Sequence, residues 1–286
     1  MLAVAVTAVA AVAAAGLGWM LFEAQWVDLR ELDVAVEGLP AELDGFAVLH
    51  LSDFHLGTVS FNGRTLRKAV EWSAGHDLDL VAITGDLVSR RRGERMLRDA
   101  LGRLPARHGT YAILGNHDVA ETRDPFSRPS DLSALRDDGA RLLEHGSASF
   151  EAQGRRVQVT GADPRRFRDP LAPLSDPAAD LRILLVHYPD AIWSLAPGDY
   201  HVILAGHLHG GQICLPWPRG KIRLEHLRAP FWEGLFALPV GTLHVSRGLG
   251  TSFVPVRLLA RPEATILRLR RRGVDSAPEW RTAWSP

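Results

Sequence analysis

Histidine, aspartate and asparagine recur in this chain at short spacings that suit metal chemistry. Asp53-Phe54-His55 sets a carboxylate and an imidazole two residues apart, and His207-Leu208-His209 does the same with two imidazoles. Gly85-Asp86, Gly115-Asn116-His117-Asp118 and a lone His187 add further oxygen and nitrogen donors. Side chains at i and i+2 of an extended segment share a face, so each pair is expected to point one way. Mixed nitrogen and oxygen donors suit Mn, Fe, Zn or similar ions, and this many of them suit a two-metal site. The single cysteine, Cys214, cannot build a Cys-type zinc or iron–sulfur centre.

Each of these motifs follows an apolar run. Phe46 to Leu51 leads to Ser52-Asp53, Leu80 to Ile83 to Gly85-Asp86, and Tyr111 to Leu114 to Gly115-Asn116. Ile183 to Val186 leads to His187, and Val202 to Ala205 to Gly206-His207. The spacing predicts helices over 64–74 and 94–104, with further strands over 157–160, 242–245 and 265–267. Such alternation implies βαβ units and a parallel sheet. Ligands bind beyond the carboxyl ends of strands in open α/β sheets. Five strand ends would therefore bring three aspartates, one asparagine and five of the twelve histidines to one rim. Glycines at 85, 115 and 206 are expected to let the backbone turn sharply there.

The bulk composition narrows the classes. The 286 residues hold 33 Lys+Arg and 33 Asp+Glu, so the formal net charge is zero. That balance argues against nucleic-acid binding through bulk positive charge, and no specific nucleic-acid partner is expected. A 46% hydrophobic content rules out an acidic disordered chain, and one cysteine rules out a disulfide-stapled fold.

Residues 1–22 carry no charged side chain. As a helix they span about 33 Å, enough for a bilayer core, with Trp19 and Trp26 at the edge. A transmembrane anchor or uncleaved signal is the favoured reading, and a cleaved signal peptide or a core helix are the alternatives. Between Glu23 and Asp44 stand seven acids and one base, Arg30. A flank so poor in Lys and Arg favours a single-pass cell-membrane protein whose catalytic domain is extracytoplasmic. The expected organisation is an anchor over 1–22, a juxtamembrane linker over 23–33, one domain over 34–272 and a flexible tail over 273–286.

Taken in order, the five motifs resemble the calcineurin-like metallophosphoesterases, from about Phe46 to Arg268. The likeness is closest to a bacterial membrane-anchored or exported branch. It is carried by Asp53 to Gly57, by Gly206 to Gln212, by Ser246 to Ser252, and by Arg261-Pro262-Glu263. The resemblance implies an α/β fold, a four-layer α/β/β/α sandwich of two mixed β-sheets. It implies two divalent metal ions (Mn, Fe, Zn or Mg), one held by Asp53, His55 and His209 and the other by Asn116, His187 and His207, with Asp86 bridging. His117 and Asp118 are the catalytic candidates, His117 beside the leaving group and Asp118 as support for its loop. The implied reaction is hydrolysis of a phosphoester, as a phosphodiesterase, by a metal-bridging hydroxide.

The chain departs from the family pattern at Ser89, where many relatives carry the aspartate that pairs with the catalytic histidine. Another carboxylate, or hydrogen bonding alone, must then serve His117. Leu208 replaces a common threonine and is expected to adjust packing only. His50 is expected in the core or an interface, and His76, His108, His145, His201, His226 and His244 in structural or surface roles. Residues 212–239 form a long loop candidate, rich in aromatic and basic residues, that would either touch the substrate or membrane surface or simply cover the sheet edge. Two alternatives accompany the phosphodiesterase: a membrane pyrophosphohydrolase acting on a lipid-linked or nucleotide-sugar pyrophosphate, and a non-catalytic, metal-stabilised membrane scaffold.

Overall fold

The computed structural model describes residues 1–122, 124, 125, 132 and 139–272. The expected tail over 273–286 lies outside the described residues. Helix α1, Leu2–Glu23, is followed by strand β1, Asp28–Val36. Then come β2 (Ala47–Leu51), α2 (Asn62–Ser73), β3 (Leu80–Thr84), α3 (Glu94–Leu101), β4 (Thr110–Ile113) and β5 (Ala140–Leu142). The second half adds β6 (Gly146–Ala152), β7 (Arg155–Gly161), β8 (Leu181–Leu185) and β9 (Val202–Ala205). It ends with β10 (Cys214–Trp217), β11 (Gly220–Arg223), β12 (Gly234–Leu238), β13 (Gly241–Val245) and β14 (Glu263–Arg271).

Two six-stranded mixed sheets face each other, in the orders β1-β14-β2-β3-β4-β5 and β12-β13-β9-β8-β7-β6. Period-two alternation sorts their side chains into three cores. Val48, Leu80 and Ala82 of one sheet pack between the sheets against Val159, Ile183 and Leu204 of the other. Leu49, Leu51, Val81 and Ile83 turn outward onto Leu66 and Val70 of α2 and Leu97 and Leu101 of α3. Leu184, Ile203 and Val245 turn outward on the second sheet, covered by Leu171, Ile192 and Tyr200. Short 3₁₀ turns, such as Pro189–Ser194, carry that outermost layer. The periodicity suggested a parallel sheet; the antiparallel pairs β14–β2, β6–β7 and β12–β13 make both sheets mixed, as the resemblance implied.

Between the sheets His50 meets His244, with their Nδ1 atoms 2.7 Å apart, and His50 Nε2 lies 2.9 Å from Thr84 Oγ1. Both imidazoles are fully buried, which agrees with the structural role expected of them. His244 in turn lies 3.5 Å from Glu263, and Arg247 pairs with the same carboxylate at 2.7 Å.

The stretch 23–33, expected as a linker, is not one. Asp28–Val36 runs parallel to β14 through a nine-residue register. Arginines of β14 answer its acids: Arg268 bonds Glu31 and Arg270 bonds Asp33, both at 2.8 Å. Alternating charge hid this edge strand from hydropathy, since only its inner residues Val34 and Val36 are buried. The foot of α1 is fixed as well. Glu23 accepts from Ala260 N at 2.8 Å, and Met20 O accepts from Arg257 N at 3.2 Å.

The folding unit therefore begins before residue 28. A chain starting at Met20 is expected to melt cooperatively, and one starting at Val34 to melt about 10 °C lower, at roughly 2–4 °C per kcal/mol lost. Equal melting temperatures by calorimetry would mean that 28–33 is a linker after all.

Candidate active site

Strands β2, β3, β4, β8 and β9 all deliver their carboxyl ends to one rim. The donors do not converge through extended geometry, as the i, i+2 argument supposed. β2 ends at Leu51, and beyond it Asp53 and His55 lie in the left-handed region at φ 53° and 44°. Asp86, His207 and His209 do so too, at 55°, 76° and 49°. For non-glycine residues this conformation costs energy and persists only where the surroundings impose it. Gly85 has φ 94° and does make a turn. Gly206 instead permits close approach, because a Cβ there would strike Ser52 Oγ and the Asp53 carboxylate.

The seven expected ligands come together. His55 Nε2 lies 3.0 Å from His209 Nε2, and His209 Nε2 lies 3.5 Å from Asp53 Oδ1. His187 Nε2 lies 2.9 Å from Asn116 Oδ1 and 3.2 Å from His207 Nδ1. Asp86 Oδ2 stands between the halves, 3.5 Å from His55 and 3.3 Å from His187. Among the described residues, three overlapping groups are spaced to hold an ion: Asp53, His55 and His209; Asp86, His187 and His207; and His55, Asp86 and His117.

The electrostatics fit cations. Burial holds the His55 imidazole at about 3, and holds His207 and His209 well below the usual range, so each keeps a lone pair. Burial pushes the Asp53 carboxyl up to about 6, against the pull of His187. At His187 burial works against the charge, but Asp86 overcomes it and lifts the imidazole to about 9. Desolvated neutral imidazoles facing carboxylates at these spacings form a donor set for borderline divalent ions.

His117 sits at the edge of this cluster. Its backbone N–H donates to Asp86 Oδ1 at 2.9 Å, its Nε2 is 3.2 Å from Thr122 Oγ1, and its ring centroid is 4.6 Å from that of His55. Asp118 is turned away from the donors. Its carboxylate accepts backbone N–H groups of Gly115, Leu87 and Val88 at 2.9, 3.0 and 3.2 Å, which locks the two ligand-bearing loops together. Burial pushes its pKa up to about 7, assisted by the Asp86 charge and opposed by those N–H bonds.

Ser89 does not face His117; its Oγ lies 3.2 Å from His55 Nδ1. Two buried carboxylates approach the His117 ring: Asp86 Oδ2 is 4.0 Å from Nε2, and Asp124 Oδ2 is 3.9 Å from Nδ1. No sequence signal marks Asp124, which stands six residues after Asp118 of the Gly-Asn-His-Asp motif. Arg257 was missed too. This wholly buried side chain donates to the carbonyls of His209 at 3.1 Å and Ala260 at 2.7 Å, and also to that of Gly250. Two more unassigned rings approach His207: Tyr188 at 4.5 Å and His226 at 5.3 Å between centroids. His226 lies in the 212–239 segment, which is partly regular: β10 and β11 pair as a hairpin and β12 joins the second sheet. Lys221 and Arg223 there lie over Trp232, at 5.0 and 5.2 Å.

The fold and the site define a metal-dependent phosphoric ester hydrolase. The family model for calcineurin-like phosphoesterases matches residues 46–211, more than half of the chain. The chain belongs to that family, whose members use a dinuclear metal centre. It is similar to the uncharacterized metallophosphoesterase YkoQ of Bacillus subtilis, 30% identical over 235 residues, which cover 80% of this chain and 85% of that one. It is also similar to the UDP-2,3-diacylglucosamine pyrophosphatase LpxG of Chlamydia muridarum, 30% identical with 92% and 96% covered. A transmembrane protein with metallophosphoesterase domain from Danio rerio is 28% identical over 84% of this chain and 57% of its own.

Asp118→Asn keeps the shape but turns an amide toward backbone donors. It is expected to cost about 1–3 kcal/mol in urea unfolding, the range for leaving a buried donor unmatched. An unchanged midpoint would mean that these bonds do not hold the loops.

Proposed function

We propose that the chain is a membrane-anchored phosphodiesterase whose two cations are divided as its motifs suggest. Asp53, His55 and His209 hold one, Asn116, His187 and His207 hold the other, and Asp86 serves both. The observation that carries this reading is the position of Asp86, within 3.5 Å of an imidazole from each half. When bound, two divalent ions (Mn, Fe, Zn or Mg) supply Lewis acidity and lower the pKa of water.

The chain's own residues do the rest. Buried imidazoles and carboxylates would hold the cations at the rim where a phosphoryl group can reach them. His117 stands where a departing alkoxide needs a proton or a donor, with the Asp124 carboxylate 3.9 Å from its Nδ1. A buried carboxylate this close to His117 supports catalysis over a scaffold role, with Asp124 in the part that residue 89 does not take. Helix α1 has the length and apolar character of a membrane span, with none of its most apolar window buried in the protein. The acid-rich flank after it supports an extracytoplasmic domain, although Glu31 and Asp33 are also paired to β14. A second reading, hydrolysis of a lipid-linked or nucleotide-sugar pyrophosphate, is favoured by the pyrophosphatase that shares 30% identity along nearly the full length of both chains.

Chelation is expected to abolish hydrolysis of bis(4-nitrophenyl) phosphate, and added Mn, Fe, Zn or Mg to restore it. With metal content unchanged, His117→Asn should lower kcat by about 10²–10⁴. Asp124→Asn should lower it by about 10–100-fold, as loss of an orienting partner does. Full turnover after chelation, or in His117→Asn, would sink the proposal.

A further inference from the structure

A cavity of about 440 Å³ opens next to the donor cluster, walled by Val59, Arg90, Arg92, Asp124, Phe253 and Val254 among others. Its inner end reaches catalytic machinery, since Asp124 lies 3.9 Å from His117. Its outer lip is apolar and open to solvent: Val59 is 85% exposed, Phe253 49% and Val254 44%. Phe253 is also held at φ 56°, a conformation unfavourable for an aromatic residue. An unfavourable backbone that presents an aromatic side chain to solvent suggests a binding lip.

Both walls are fastened to the foot of α1. The wall over 251–255 runs directly into Arg257, whose N–H donates to Met20 O at 3.2 Å, and into Arg261, which stacks on Trp26 at 4.0 Å. The wall over 58–60 runs into α2, where Lys68 donates to Gln25 O at 2.9 Å and Arg64 to Gln25 Oε1 at 3.2 Å. Asn62 ties the walls together, donating to Thr251 O at 3.2 Å and accepting from Thr251 N at 3.1 Å. The lip therefore keeps a fixed place beside the point where α1 leaves the domain. If α1 crosses a bilayer, the cavity runs from the membrane surface to the catalytic histidine.

We propose that this cavity is the chain site for a lipid phosphoester or pyrophosphate that stays in the bilayer while its head is cleaved. The acyl or alkyl chain lies along Val59, Phe253 and Val254. Arg90 and Arg92 face the anionic head, whose scissile phosphorus reaches the donor cluster past Asp124. The volume is within the range of ligand pockets, where apolar walls give affinity and a few polar or charged groups fix orientation. The inference rests on the phosphoesterase reading and on α1 as a membrane span, and it names the substrate class for them.

The test uses the full-length protein in phospholipid–detergent micelles with methyl, octyl and hexadecyl 4-nitrophenyl phosphate, which share one leaving group. kcat/KM is expected to rise about tenfold or more from the methyl to the hexadecyl ester, as buried methylenes add affinity. Phe253→Asn, chosen because Asn tolerates the left-handed backbone, combined with Val59→Ser should reduce that gain to about threefold or less. The methyl ester should be turned over as before. Trp217→Ser, at an exposed tryptophan outside the cavity, should leave the gain intact. A wild type indifferent to chain length, a gain that survives the double substitution, or an equal loss in Trp217→Ser would each overturn the lipid site. No turnover of any ester with any of the four metals would overturn the phosphoesterase reading beneath it.

Discussion

Asp86 is the group on which the rest of the site turns. It is 2% exposed, accepts the His117 N–H, and stands within 3.5 Å of His55 and His187 from opposite halves of the cluster. Gathering so many desolvated donors around one carboxylate is costly unless compensating charge arrives. Two cations would bring about +4 to a place where Asp53 and Asp86 are the acidic ligands. A chain of zero net charge can thus attract an anionic substrate through its site alone.

Much of the molecule restrains that crowding. The two sheets supply rigid strand ends, and the chain then bends into left-handed residues that point side chains inward. Asp118 stitches the Gly85 and Gly115 loops through backbone N–H groups, and Arg257 gathers carbonyls from 209, 250 and 260. Arg257 also links the site to α1, through its own N–H and through Ala260 to Glu23. The helix foot is thereby part of the scaffold of the site, and not a tether at the end of a flexible linker.

The donors were legible because each follows a short, largely apolar strand. His50 was correctly set aside, because strand alternation turns it from the rim toward His244. The backbone that brings the donors together was not legible: nothing in Asp53-Phe54-His55 announces two left-handed residues. β1 escaped because an edge strand with charges at Asp28, Arg30, Glu31 and Asp33 reads as a polar linker. Asp124 and Arg257 escaped because their roles depend on contacts distant in sequence, between loops whose paths hydropathy does not encode. Ser89 was noticed, but its neighbour was assigned by analogy, and geometry gives it His55.

Elemental analysis of the purified full-length protein tests the central claim most directly. The account predicts two divalent transition-metal or magnesium ions per folded chain, falling to one or fewer in Asp86→Ala while the fold is retained. A natively folded wild type that binds no metal when offered Mn, Fe, Zn and Mg, or an Asp86→Ala protein that still holds two ions, would contradict it.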